Sequence, residues 1–127
     1  MKTKTLLVAT AVVELAAGAA LLIVPSFAAR LLLGEALGTA VSMLVGRVAG
    51  AALTAIAVAC WLESAGNRAG SPSGLLAGLL VYNCAVPLLL VHGAVFNGIH
   101  GILLWPAVVL HIVLALWCIV LLRRQSA

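Results

Sequence analysis

This sequence carries very little charge. Only 8% of its 127 residues are Asp, Glu, Lys or Arg, and only three of these are acidic, whereas 65% of the residues are hydrophobic. Soluble domains contain about a quarter charged residues. The mean hydropathy of +1.30 therefore indicates an integral membrane protein. Four spans of about 20 residues use nearly the whole length, which leaves no room in this sequence for a separate soluble catalytic domain.

Cysteine motifs and aromatic side chains are also scarce. The three cysteines, Cys60, Cys84 and Cys118, form no C-x-x-C pair and lie inside apolar runs, so we expect them to pack as small apolar residues. Aromatic residues account for 5% of the chain. The tryptophans lie near span ends or the inner boundary, which is typical of an aromatic belt. Neither residue type indicates a cofactor.

Breaks in the apolar runs predict an all-α fold, an integral membrane four-helix up-down bundle that forms a single domain over residues 1–127. The spans cover about residues 5–24, 38–62, 74–95 and 100–122. Pro25 ends the first span, and residues 26–34 predict a short interfacial helix with Ser26 as its N-cap and Gly34 at its end. Pro106 is either a first-turn residue or a kink. Residues 63–73 read as a loop.

The distribution of basic residues predicts the orientation of the chain in its membrane. Lys and Arg collect on the cytoplasmic side, and one side carries Lys2, Lys4, Arg68, Arg123 and Arg124. Only Arg30 lies in the opposite loops, so both termini are expected in the cytoplasm. The net charge of +4 is explained by basic residues that set the topology and are attracted to anionic lipid head groups. It does not require a nucleic-acid partner. Glu14 lies inside the apolar stretch that a secretory signal would need, so we expect that stretch to be the first span.

Four strongly polar residues, Glu14, Arg47, Asn83 and His111, lie near the centres of the four spans. Counted from the span ends, Glu14 and Asn83 lie about 13 Å deep, His111 about 14 Å and Arg47 about 16 Å. Such residues normally face a bundle interior and pair with one another, because a charge at mid-bilayer costs about 2.5–3.5 kcal/mol. The sequence therefore predicts a buried polar cluster, which either binds a ligand or only fixes the helix register.

The strongest contact prediction within this cluster is an ion pair between Glu14 and Arg47. Residues three and four positions from each charge are mostly small, which permits close helix approach, and Gly46 and Gly50 have a small-xxx-small spacing. Pro87 lies four residues after Asn83 and is expected to free the Asn83 carbonyl from the helical ladder. Arg47 is a candidate donor to that oxygen as well.

A second polar group, His92, Asn97 and His100, brackets the turn between the last two spans. Two nearby histidines suggest a metal or haem. A zinc site needs three or four ligands, however, and only the distant Glu35 remains to join them. Axial haem histidines must face one another across the bundle, and no pair here is placed to do so. We therefore expect interfacial histidines and no metal.

The motifs Glu14-Leu15-Ala16-Ala17-Gly18, Arg47-Val48-Ala49-Gly50, Tyr82-Asn83 and His111 resemble the small four-helix bacterial membrane proteins of the DoxX-like kind, many of them uncharacterised. The resemblance implies a four-helix inner-membrane bundle, in some relatives associated with quinone-linked redox systems. The small multidrug transporters also have four spans and a Glu in the first. Their carboxylate must be free to exchange protons for a cation, whereas Arg47 at matching depth is expected to hold Glu14 ionised.

Three functional hypotheses follow. The first is a non-enzymatic accessory or interaction subunit of a membrane assembly, since no catalytic constellation is recognisable. The second is a small transporter or ligand-binding protein that uses the polar cluster. The third is a redox protein that binds quinone or haem near His92 and His100 or at His111. The expected partners are the lipid bilayer and either a membrane protein or a second copy of the chain, since Ala- and Gly-rich faces pair well.

Overall fold

The computed structural model describes residues 2–66 and 72–125. These residues form one short and four long helices: α1 (Thr3–Ile23), α2 (Pro25–Leu33), α3 (Ala40–Ala65), α4 (Ser73–Asn97) and α5 (Leu104–Gln125). The four long helices are long and apolar enough to span a membrane. The predicted all-α fold with four long helices is confirmed, and these helices support a multi-pass membrane protein. Arg68 and its neighbours in the predicted loop, residues 67–71, lie outside the described residues.

The helix ends follow from local sequence. Pro25 follows the end of α1, as expected, but it also begins α2, so that Val24 and not Ser26 is the N-cap of α2. Gly34 ends α2 with a φ of 87°, a left-handed conformation that favours glycine. Thr39 and Ser42 form a reciprocal capping box at the start of α3. Pro106 lies in the first turn of α5, which begins four residues later than predicted, at Leu104.

The helices α1 and α3 pack closely in antiparallel orientation. A Cβ atom added to Gly18 would lie 2.8 Å from the Gly50 carbonyl oxygen, and one added to Gly50 would lie 2.8 Å from the Gly18 carbonyl oxygen. Toward the other end of the contact, Gly46 lies against Pro25. The two backbones therefore touch at Gly18 and Gly50, where any side chain would separate them.

The helices α4 and α5 form the second closely packed pair. The two pairs share one apolar cluster, to which all four long helices contribute. It contains Leu6, Leu7, Ala11, Cys60, Leu76, Leu79, Leu114, Cys118 and Leu121. Because these residues lie near the start of α1 and the end of α5, the cluster occupies the end of the bundle that carries both termini.

The opposite end of the bundle is closed by α2 and the segment between α4 and α5. The His100 N–H donates to the Leu33 carbonyl at 3.2 Å, and the Leu103 N–H donates to the Leu31 carbonyl at 2.9 Å. Gly101 lies so close to the backbone of Leu31 and Leu32 that a Cβ atom would not fit. Residues predicted to open the fourth span thus satisfy carbonyl groups at the C-terminus of α2.

Candidate functional site

The carboxyl group of Glu14 is buried in the bundle, and its side chain is only 1% exposed. Its Oε2 accepts a hydrogen bond from the Tyr82 hydroxyl at 3.1 Å. Its Oε1 is buried and has no hydrogen-bond partner. An ionised carboxylate has about four positions that can accept a hydrogen bond. Glu14 therefore has most of its acceptor positions unused.

Thr10 lies one helical turn before Glu14 on the same face of α1 and is completely buried. Its hydroxyl oxygen has no hydrogen-bond partner. A threonine in an apolar helix commonly donates to the carbonyl four residues earlier, and Thr54 does so, with its hydroxyl 2.9 Å from the Gly50 carbonyl oxygen. Thr10 does not, so a second buried oxygen is free beside Glu14.

Asn83 and His111 form a second polar contact, between α4 and α5. The Asn83 Nδ2 donates to the Leu79 carbonyl at 2.8 Å, which fixes Oδ1 as the acceptor. His111 Nδ1 lies 2.8 Å from that oxygen and must therefore carry the proton. In the neutral ring, Nε2 is then the acceptor. Two of the four residues of the predicted cluster are thus in contact, and both side chains are buried.

Tyr82 joins the two halves of this polar centre. Its hydroxyl binds Glu14 on α1, and its ring packs edge to face against the His111 ring, with 5.5 Å between ring centroids. Close contact between α1 and α4 is otherwise sparse. Tyr82 therefore carries the polar link between the helix pairs α1–α3 and α4–α5.

The predicted ion pair between Glu14 and Arg47 is wrong. Arg47 is exposed on α3, and Glu14 Oε1 has no partner. The predicted donation from Arg47 to the Asn83 carbonyl is absent for the same reason, although Pro87 does lie inside α4 as expected. The polar centre thus consists of Thr10, Glu14, Tyr82, Asn83 and His111, and Arg47 is not part of it.

The register of α1 against α3 explains the error. Gly50 lies against Leu21 and Leu22, and Gly46 lies against Pro25, so Arg47 is level with the end of α1. The same antiparallel register places the level of Glu14 near Ala57, ten residues beyond Arg47, or about 15 Å along the axis.

The predicted outer group of His92, Asn97 and His100 lies around the C-terminal end of α4. All three side chains are exposed. The His92 ring packs against Phe96, with 4.9 Å between ring centroids, and His100 Nδ1 lies close to the Gly98 carbonyl. Within residues 2–66 and 72–125, no group of three or more His, Cys, Asp or Glu side chains is arranged to hold a metal ion.

A groove of about 320 Å³ runs along the contact between α1 and α3. Apolar side chains of both helices line it, and it does not reach the polar centre. Its lining residues include Ala11, Val12, Leu15, Ala57, Val58 and Trp61. Trp61 and Trp105 are exposed, as an aromatic belt requires, whereas Trp117 is half-buried and its indole N–H has no partner.

Comparisons with protein-family models, with curated proteins and with solved structures found no match for this chain. The resemblance to DoxX-like proteins therefore stays a prediction. The polar centre has to be interpreted from its own chemistry.

Two residues of this centre were not among the predicted site residues. Tyr82 directly precedes Asn83, and Thr10 lies four residues before Glu14. Proximity to a predicted site residue was the available signal for both. It was weak, because Tyr and Thr are common in membrane spans without any role in a site.

Proposed function

We propose that this protein is a small membrane transporter or ligand-binding protein that binds a cationic species at Glu14. The observation that carries the proposal is the lack of a positive partner for this carboxyl group. Among the described residues, no Lys, Arg or His forms an ion pair with Glu14, and Oε1 is free. A carboxylate in an apolar interior needs a proton or a cation for neutralisation.

The surroundings of Glu14 suit reversible neutralisation. Tyr82 on α4 donates to Oε2, and Cys60 on α3, near the same level of the bundle, is completely buried. Neither group supplies a positive charge. Arg47, which the sequence predicted to hold Glu14 ionised, lies on another level of the bundle. Because Arg47 lies away from Glu14, its fixed positive charge does not compete with a cationic ligand there, which supports exchange of a proton for such a ligand.

Labelling with dicyclohexylcarbodiimide tests this proposal, because the reagent partitions into apolar regions and reacts with protonated carboxyl groups. We expect the purified protein to gain one adduct at Glu14, located by mass spectrometry of the fragments. The adduct should be absent from Glu14→Gln and present in Glu35→Gln, since Glu35 is exposed in the segment between α2 and α3.

Infrared spectroscopy detects protonation of Glu14 even if dicyclohexylcarbodiimide cannot reach the carboxyl group. The carbonyl stretching band of a protonated carboxyl should appear and disappear with pH in the wild type and not in Glu14→Gln. If Glu14 neither reacts nor contributes such a band from mildly acidic to mildly alkaline pH, it does not exchange protons. The proposed function is then wrong.

A second candidate is an accessory or interaction subunit, favoured by the apolar groove that α1 and α3 leave open at the surface. Extraction of native membranes in a mild detergent tests it. We expect the wild-type chain to migrate in a larger assembly, and Ala57→Leu, which fills the groove floor, to release it. Ala55→Leu on the exposed side of the same helix is the control. A wild-type chain that migrates alone contradicts this candidate.

We further propose that the protein resides in a bacterial inner membrane with both termini in the cytoplasm. Lys2, Lys4, Arg123 and Arg124 lie at the end of the bundle that holds the apolar cluster, whereas Arg30 and Arg47 lie toward the other end. This asymmetry supports the orientation. Binding of quinone or haem stays a prediction, which an optical spectrum and a lipid extract of the purified protein will test.

A further inference from the structure

Glu14 and Thr10 together present a specific set of ligand atoms. Glu14 Oε1 and Thr10 Oγ1 are both buried, both without partners and one helical turn apart on the inward face of α1. One is a carboxyl oxygen and the other a hydroxyl oxygen, and both accept hydrogen bonds. Buried oxygens of this kind are rarely left without a donor.

We propose that these two oxygens bind the ammonium group of a small primary amine or ammonium ion. This inference rests on the proposed function, because it names the class of cation that Glu14 accepts. An ammonium group carries three N–H donors and one positive charge. One donor would bind Glu14 Oε1 and a second Thr10 Oγ1. The buried sulfur of Cys60, which the register of α3 against α1 places level with Ala11, would be a weak acceptor for the third.

Other cations fit this set of atoms less well. Hard divalent ions take six or more oxygen ligands, and the described residues contain no metal-binding group of three side chains. Quaternary ammonium groups have no N–H and are recognised by cages of aromatic rings. Tyr82 is the aromatic side chain in contact with Glu14, and one ring does not make a cage. Hydrogen-bond donation should therefore decide which cation binds.

The hydroxyl groups of Thr10 and Thr54 differ in whether they have a hydrogen-bond partner in the protein. The Thr54 hydroxyl is occupied by the Gly50 carbonyl at 2.9 Å, whereas the Thr10 hydroxyl has no protein partner. Removing the hydroxyl from Thr10 should weaken ammonium binding, and the same change at Thr54 should not. The pair provides a matched comparison of one substitution in two membrane helices.

Protection of Glu14 from dicyclohexylcarbodiimide at fixed pH measures the binding. We expect methylammonium chloride to slow labelling of Glu14 and tetramethylammonium chloride at the same concentration to have no effect. In Thr10→Val, half-protection should require about tenfold more methylammonium, the loss expected for one hydrogen bond to a charged group. Thr54→Val should be protected as well as the wild type. Thr10→Ser keeps the hydroxyl group and should therefore also be protected like the wild type, which separates loss of the hydroxyl from poor folding of Thr10→Val.

The outcomes separate the two proposals. Equal effects of the two salts, or protection in Thr10→Val that matches the wild type, would overturn the ammonium site. Labelling of Glu14 would in that case still support proton exchange and leave the proposed function standing. Absence of both labelling and a titrating infrared band would remove the proposed function together with this inference.

Discussion

Replacing Gly50 with alanine should destabilise the protein by about 2–3 kcal/mol, the upper part of the range for overpacking in a close-packed interior. The added Cβ would lie 2.8 Å from the Gly18 carbonyl oxygen and 2.9 Å from both Leu21 Cβ and the Leu22 nitrogen. Two of these atoms belong to the backbone and cannot rotate away. The helices α1 and α3 would have to separate, with a loss of packing along their whole contact.

The measurement is the free energy of unfolding in mixed micelles, with helicity followed as denaturing detergent is added. Gly18→Ala should behave like Gly50→Ala, because its Cβ would lie 2.6 Å from Thr54 Oγ1 and 2.8 Å from the Gly50 carbonyl oxygen. Gly78→Ala on α4 is the control, since its Cβ would meet nothing within 4 Å. If all three variants are equally stable, the close approach at Gly18 and Gly50 does not hold α1 against α3.

Replacing Asn83 with leucine should cost about 1–2 kcal/mol, because His111 then loses the acceptor for its Nδ1–H inside the bundle. The carbonyl of Leu79 keeps a donor, since the backbone N–H of residue 83 occupies the position four residues later in the helix. The penalty therefore comes from the histidine. The same micelle unfolding experiment measures it.

A double-mutant cycle isolates the contact between Asn83 and His111. The pair Asn83→Leu and His111→Phe should cost clearly less than the two single changes added together, because neither polar group is then left unpaired. Nitrogen NMR of the imidazole ring supplies an independent check, with His111 protonated at Nδ1 in the wild type. A ring protonated only at Nε2 in the wild-type protein would contradict the assigned hydrogen bond.

The sequence predicted which helices form and that Glu14, Asn83 and His111 lie at similar levels of the bundle, because both follow from position along the chain. The long apolar runs and Pro25 set the spans. Asn83 and His111 were placed at equal depth, and their side chains do meet. Their helices are joined by a short segment, so an error in one boundary shifts both partners by only a few residues.

The rotation of each helix about its own axis and the register between neighbouring helices were not predictable in the same way. The four spans are apolar around nearly their whole circumference, so composition does not show which side faces inward. For Arg47, the small residues three and four positions away favoured the inward face. The helix α3 is displaced along α1, however, and Arg47 lies level with the end of that helix. The contact between Gly18 and Gly50 helps to fix this displacement, and spacing alone did not identify Gly18 as the partner of Gly50.

The hydrogen bonds between α2 and the segment before α5 constrain the order of assembly during synthesis. The carbonyl groups of Leu31 and Leu33 receive their donors from Leu103 and His100, which leave the ribosome about seventy residues later. Until then, water at the membrane surface must solvate the free end of α2. α2 also packs against α1 and α3, so it can dock early, but the carbonyl groups at its C-terminal end gain their protein donors only after the last hairpin has been inserted.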